Sequence, residues 1–301
     1  MKELAILQLT MFSLILIGSL MKKKKIIGPE GQKNITDLVI YLILPCNILK
    51  AFMVKFTDKM LYACGSILMI SIGIQIGCVF IGKLLYNRKP EKKRKCLQYG
   101  IICSNAGFLG NPVAEGVFGA AGLTLASVYL IPQRIMMWSS GLSVFSGSTD
   151  KKEVAKKVAT HPCILACIFG LILMVTQFQL PEFMTQTITY IGNSNTAFSM
   201  MVIGMILAEM DPKTILDKDV IIYTIVRLVI IPTLVYLPLR LLGVSHLVTG
   251  VSVLLAAMPA GATTSILASK YDTNPEFATK MVIFSTLLSL VSSGVWSFLL
   301  V

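Results

Sequence analysis

Ten apolar stretches, near residues 4–21, 35–54, 60–86, 96–119, 121–145, 160–180, 184–209, 220–241, 244–269 and 277–301, alternate with short charged or turn-rich stretches. Each is close to or above the ~20 residues that a membrane-spanning helix needs, so the pattern predicts an all-α integral membrane protein with ten transmembrane helices. The stretches at 60–86 and 184–209 are long enough to tilt. The first stretch is followed by lysines 22–25. A secretory signal carries its positive charge ahead of the apolar run, so this stretch is read as the first span.

Two of the spans are interrupted. The fourth contains Cys103-Ser104-Asn105-Ala106-Gly107-Phe108-Leu109-Gly110-Asn111-Pro112, and the ninth contains Ala257-Met258-Pro259-Ala260-Gly261-Ala262-Thr263-Thr264. Pro112 has no N–H for the carbonyl of Phe108, and glycine is a poor helix former, so the fourth helix is expected to break at Asn111-Pro112 and the ninth at Pro259. Unpaired backbone at membrane depth is tolerated only beside protein or a water-filled cavity. Matching breaks in the two halves of a chain point to the binding site of a secondary transporter, where the two segments are expected to cross.

Only 14% of the residues are charged and 55% are hydrophobic, which excludes an ordinary soluble domain. The net charge of +12 does not indicate a nucleic-acid partner, because the cations sit in short runs between apolar spans. Lysines 22–25 with Lys33, the run from Arg88 to Lys95, Lys151 to Lys157, Lys213 with Lys218, and Lys270 fall in alternate loops; that side is assigned to the cytoplasm. Lys2, Lys50, Lys55, Lys59 and Arg240 fall on the other side, and both termini are expected to be extracytoplasmic in the cell membrane. The polar linker 146–159 divides the chain into halves 1–145 and 160–301. Five spans per half require the second half to insert upside down relative to the first. The seven cysteines show neither metal-ligand spacing nor a disulfide framework, and no metal or cofactor is predicted.

Asn105-Ala-Gly-Phe-Leu-Gly-Asn-Pro112, with Glu115-Gly-Val-Phe-Gly119 after it, resembles the fourth-helix motif of the auxin efflux carrier family, whose bacterial members include malate permease-like proteins. Leu44-Pro45, His161-Pro162, Ile191-Gly192-Asn193, the run from Ser199 to Gly204, Met258-Pro259-Ala260-Gly261, Leu267-Ala-Ser-Lys-Tyr271 and Ser285-Thr-Leu-Leu-Ser289 extend the match over nearly the whole chain. Ala197 and Gly110-Asn111-Pro112 depart from the pattern, standing where the family has a proline and Gly-Ile-Pro. The resemblance implies two inverted five-helix repeats, a scaffold domain of spans 1, 2, 6 and 7, a transport domain of spans 3–5 and 8–10, and a homodimer. It also implies that Asn105 belongs to the substrate site and that the substrate is a small organic anion.

Half-helix N-termini carry partial positive charge and unpaired N–H groups, which suit a carboxylate. The expected substrate-binding residues are therefore Asn105, Gly110, Asn111, Pro112, Arg134, Met258, Pro259, Ala260, Gly261 and Thr263. The hydroxyls of Thr263 and Thr264 have two roles open to them, donation to the substrate or bonding to their own helix. Arg134 and Arg227 each place a charge inside an apolar span, at a cost of about 2.5–3.5 kcal/mol on insertion scales, so each needs a partner or a cavity. Arg134 is read as the counter-charge to the anion, while Arg227 is either a secondary site residue or a paired structural cation. Glu115 is a possible proton-coupling residue or a solvated helix end, and Asn47 and Asn193 are possible secondary site residues or hydrogen-bonding links between helices.

No nucleophile motif or carboxylate dyad accompanies His161 or His246, so no catalytic residue is assigned and the chain is not read as an enzyme. The reading is a secondary transporter of a malate-like carboxylate working by alternating access. The alternative is a sodium-coupled organic anion symporter of the bile acid type.

Overall fold

A computed structural model describes residues 2–53, 57–146, 152, 155, 156, 159–208 and 217–300. The described chain is helical, with one isolated β-bridge between Ser104 and Ala260. In chain order the helices are α1 (Lys2–Lys23), α2 (Pro29–Phe52), α3 (Asp58–Tyr86), α4 (Glu91–Ile102), α5 (Ala106–Met136), α6 (Pro162–Thr176), α7 (Glu182–Ala208), α8 (Lys218–Leu241), α9 (His246–Ala256), α10 (Thr263–Lys270) and α11 (Pro275–Leu299). Helical turns continue beyond α5 over 137–146.

Six helices, α2, α3, α5, α7, α8 and α11, are long and apolar enough to cross a membrane. α6 and α9 are shorter apolar helices. Each of the ten predicted apolar stretches is helical over most of its length, but stretches four and nine are split, which leaves α4, α9 and α10 as short pieces. The outer faces are greasy: Met69, Ile76, Phe80 and Leu84 of α3 all stand out from the protein. Exposed apolar surface of this extent on a long apolar helix fits contact with lipid. Most of the expected central linker, 146–159, and the residues Glu209, Asp211 and Lys213 lie outside the described residues.

Local chemistry sets the helix ends. Thr57, Asp217 and Asn274 cap α3, α8 and α11, their side-chain oxygens accepting from the backbone N–H of Met60, Asp219 and Phe277. Pro29, Pro162 and Pro275 occupy first turns, where a missing N–H costs nothing. α5 is two helical segments joined at Gly119, whose φ of 64° and ψ of −156° suit only glycine. The chain reverses there so sharply that a Cβ on Gly122 would lie 2.4 Å from the carbonyl oxygen of Ala114.

Three interior prolines share one accommodation. Pro45, Pro112 and Pro232 each follow a widened helical turn, at 39–43, 106–110 and 226–230, in which the residue before the proline donates its N–H five residues back. The widened turn carries the carbonyl four residues before the proline away from the ring. For Pro232 that carbonyl is Leu228, and Trp296 Nε1 donates to it at 2.9 Å.

The helices pack in two groups. α1 lies along the second half of α7, and α2 packs on α6 and the first half of α7. The other group has α3 against α4 and α5, α9 against α5 and α8, and α11 against α8 and α10.

Candidate functional site

The two interrupted segments meet within the second group, where the start of α5 also packs on α7 of the first. Asn105 donates its N–H to Pro259 O at 2.8 Å, and Gly261 donates its N–H to Cys103 O at 3.1 Å, which makes Ser104 and Ala260 an antiparallel bridge. Backbone groups released by each break thus satisfy those of the other, as burial in a membrane protein demands. Ser285 supports the bridge from α11, its hydroxyl accepting the N–H of Ala260 at 3.2 Å. The approach depends on Gly261, where a Cβ would stand 3.2 Å from Cys103 O and 3.4 Å from Ser104 O.

The break in the fourth stretch is at 103–105, one to two turns earlier than the proline suggests. Asn111 and Pro112 are fully buried in the first turn after the widened segment, because that segment absorbs the proline without ending the helix. Neither carboxamide atom of Asn111 has a hydrogen-bond partner among the described residues. The break in the ninth stretch spans 257–262 and contains Pro259, as expected.

Four half-helix ends converge here: the C-termini of α4 and α9 and the N-termini of α5 and α10. Arg227 serves the C-termini. Its Nε donates to Met258 O at 2.9 Å and its Nη1 to Ile101 O at 3.0 Å, with Cys78 Sγ 3.8 Å away. It is a buried structural cation that holds both breaks by their carbonyls, the second of the two roles read from the sequence.

In the first turn of α10 the N–H groups of Thr264 and Ser265 already donate to Gly261 O at 2.9 Å and Ala262 O at 3.2 Å, and the N-terminus of α5 is the one beside Arg134. Its Nη2 is next to Gly107, where a Cβ would come within 4.0 Å. The residue is 7% exposed, and its Nη1 is buried with no acceptor among the described residues. Leaving such a donor unpaired in a low-dielectric site is expensive.

Neighbouring polar side chains fix the backbone around that position. Gln133 clasps Ser104: Nε2 donates to Ser104 O at 2.7 Å, and Ser104 Oγ donates to Oε1 at 3.2 Å. Tyr99 donates its hydroxyl to Thr263 Oγ1 at 3.2 Å, which leaves the threonine's own O–H as a donor. Gly110 is packed on Met258, whose Cγ a Cβ would approach to 3.2 Å. The structure therefore gathers Asn105, Gly110, Met258, Pro259, Ala260, Gly261 and Thr263 at one crossing, with Arg134 and Arg227 on its flanks. Gln133, Tyr99, Ser104 and Ser285 join them without having been singled out as site residues. A glutamine next to an arginine in an apolar span was the available signal for Gln133.

Glu115, Asn47 and Asn193 form a separate cluster. Lys50 Nζ donates to Glu115 Oε1 at 2.7 Å and to Asn193 Oδ1 at 3.0 Å. Asn47 Nδ2 donates to Gly192 O at 3.2 Å and contacts Glu115 Oε2 at 3.4 Å. Glu115 is thus an ion-paired residue and not a solvated helix end. Outside the spans, Lys93 pairs with Asp217 at 2.8 Å and Lys89 with Asp219 at 2.6 Å, tying the start of α4 to the start of α8. Burial alone pushes the Asp217 carboxyl up, but the Lys93 ammonium and the N–H groups of Asp219 and Val220 outweigh it and hold the carboxyl below its ordinary range. Among the described residues there is no group of three or more His, Cys, Asp or Glu placed to hold a metal.

The family model described as "Membrane transport protein" matches residues 5–297. An uncharacterized transporter of Methanocaldococcus jannaschii is 25% identical over 95% of this chain and 96% of its own. A Rhizobium meliloti protein named "Putative malonate transporter" is 23% identical over 97% of this chain and 94% of its own. Auxin efflux carrier component 8 of Arabidopsis thaliana is 25% identical over 48% of this chain and 41% of its own. With a single family model matched almost from end to end, and with split helices meeting at its centre, the chain belongs to the auxin efflux carrier-like family of membrane transport proteins.

Proposed function

We propose that this multi-pass membrane transporter carries a small organic anion, a dicarboxylate of malonate or malate size, by alternating access. The observation that carries the reading is the electrostatic asymmetry of the crossing. Arg227 neutralises the carbonyls at the two C-terminal ends, whereas the N-terminal end of α5 stands beside Arg134 with its buried, unpaired Nη1. The result is a site with spare positive charge and spare donors. A carboxylate satisfies it in the bidentate way that a guanidinium favours.

Support for a dicarboxylate comes from the name of the Rhizobium relative, which assigns malonate to that protein. The same proposal has ten spans in two inverted halves, 1–145 and 160–301, with both termini extracytoplasmic. The scaffold is α1, α2, α6 and α7, and the remaining helices form the moving transport domain. The grouping of helix contacts supports this division, with the two breaks paired inside the second group and the start of α5 also packed on α7 of the first.

Binding of malonate, malate and a monocarboxylate control to the purified protein, followed as thermal stabilisation, tests the reading. Stabilisation by a dicarboxylate that disappears in Arg134→Ala is the expected result. Equal stabilisation of both proteins would remove Arg134 from the site and the proposal with it.

A further inference from the structure

The boundary between the two packing groups is chemically unlike the interior of either. Inside the first group, backbones touch. A Cβ on Gly204 of α7 would lie 1.9 Å from Ile15 O of α1, and one on Gly18 of α1 would lie 2.1 Å from Met201 O of α7. α2 is fitted as closely, with Gly192 of α7 against the Asn47 backbone and Gly170 of α6 against the Phe52 ring. Inside the second group, Gly100 of α4 is packed on Tyr223 and Met281, and Gly250 of α9 on Phe118. Gly116 looks across the boundary, and what a Cβ there would meet first is the end of the flexible Leu7 side chain, at 2.5 Å. Each group is thus welded internally, while side chains join one to the other.

Hydrogen bonds across the boundary are of a releasable kind. Thr124 of α5 donates to Ala51 O of α2, yet its hydroxyl is also 2.9 Å from Ala120 O of its own helix, a partner it retains on separation. The Lys50–Glu115 pair is the strong contact: 2.7 Å, with side chains only 20% and 26% exposed. Lys50 is held on its own side by Asn193 Oδ1, and Asn47 by Gly192 O and by Asn195 Nδ2 at 3.4 Å, which in turn receives Ser199 Oγ on its Oδ1 at 3.1 Å. The first group therefore presents a preformed donor socket, and Glu115 is the single plug inserted into it from α5.

We propose that Lys50 and Glu115 form a latch that locks the second group, with its crossing, against the first in the state seen here. The pair stands near the end of α2 away from lysines 22–25, so it fastens the side opposite the basic loops. Its parting frees α5 to shift, while Lys50 and Asn47 stay satisfied in their socket. This use is distinct from anion binding, for which neither residue is needed.

Hydrogen–deuterium exchange of the full chain in nanodiscs tests the latch without any substrate, so a negative result leaves the anion reading standing. Lys50→Met and Glu115→Gln should each raise exchange about fivefold on both partner segments, 44–52 and 111–118. The charge-reversed pair Lys50→Glu with Glu115→Lys should return both segments towards the wild-type rate. Should the reversed pair fail to fold, molar salt applied to the wild-type protein replaces it, expected to speed both segments there and to leave Glu115→Gln unchanged. Singles that loosen only the helix carrying the substitution, or a reversed pair as loose as the singles, would overturn the proposal. So would salt acting equally on wild type and Glu115→Gln.

Discussion

Asn105 and Pro259 are joined through the backbone, Asn105 N–H to Pro259 O at 2.8 Å, although 154 positions separate them in the chain (259 − 105). Neither residue can make that bond from within a continuous helix. The contact therefore explains both interruptions at once: each break supplies what the other lacks, and the N-terminus of α5 is left beside Arg134.

Arg227→Met is predicted to cost stability where Arg134→Ala costs function. Removing the Arg227 side chain leaves the carbonyls of Ile101 and Met258 without their donor, at about 1–3 kcal/mol for each buried group. A clearly lowered melting temperature in detergent is the expected outcome, while Arg134→Ala melts close to wild type. A stable Arg227→Met protein would show that the crossing holds without it.

Gln133→Glu changes one group in the clasp on Ser104, replacing the donor at Nε2 with an acceptor facing Ser104 O. Its oxygen is then pointed at a carbonyl, which loosens the turn that presents Asn105. Anion affinity should fall by about tenfold or more, the equivalent of one lost hydrogen bond and the repulsion that replaces it, with the fold retained. Titration of the purified variant with the ligand that stabilises wild type measures it.

Gly204→Ala should be among the most damaging single-methyl changes in the protein. The new Cβ would lie 1.9 Å from Ile15 O, so α1 and α7 must separate, at a cost on the order of 1–3 kcal/mol or more. Gly65→Ala, on α3 where a Cβ meets nothing within 4 Å, is the matched control and should melt like wild type or slightly higher.

The contribution of Asp217 to stability has a definite sign with pH. Its folded carboxyl titrates below its unfolded value, so the stabilisation is present above the unfolded value and is lost as pH falls through the folded one. Melting temperature should drop across the acidic range more steeply in wild type than in Asp217→Asn. Parallel curves for the two proteins would contradict the ion-pair account.

Much of this was legible in the sequence because lipid imposes a simple code. Apolar length marked the helices, six of which are long and apolar enough to cross a membrane, and proline with glycine in mid-stretch marked the two interrupted stretches. What spacing does not carry is how a proline is absorbed. Pro112 looked like the break, yet a widened turn at 106–110 carries it inside α5 and moves the true interruption to 103–105. Pro259 lacks such a turn and does sit in its break. Nor does the sequence say which of two buried arginines is satisfied, since that depends on carbonyls 31 and 126 residues away from Arg227. The pairing of Lys50 with Glu115 is hidden for the same reason, the partners being 65 positions apart.

Uptake of labelled malonate and malate into proteoliposomes is the most direct test of the central claim, run with an inward proton gradient, an inward sodium gradient and neither. Wild-type protein is predicted to accumulate a dicarboxylate that unlabelled dicarboxylates displace, and Arg134→Ala, correctly folded, to accumulate none. Undiminished uptake by Arg134→Ala, or no uptake of any organic anion by well-folded wild type, would contradict the account.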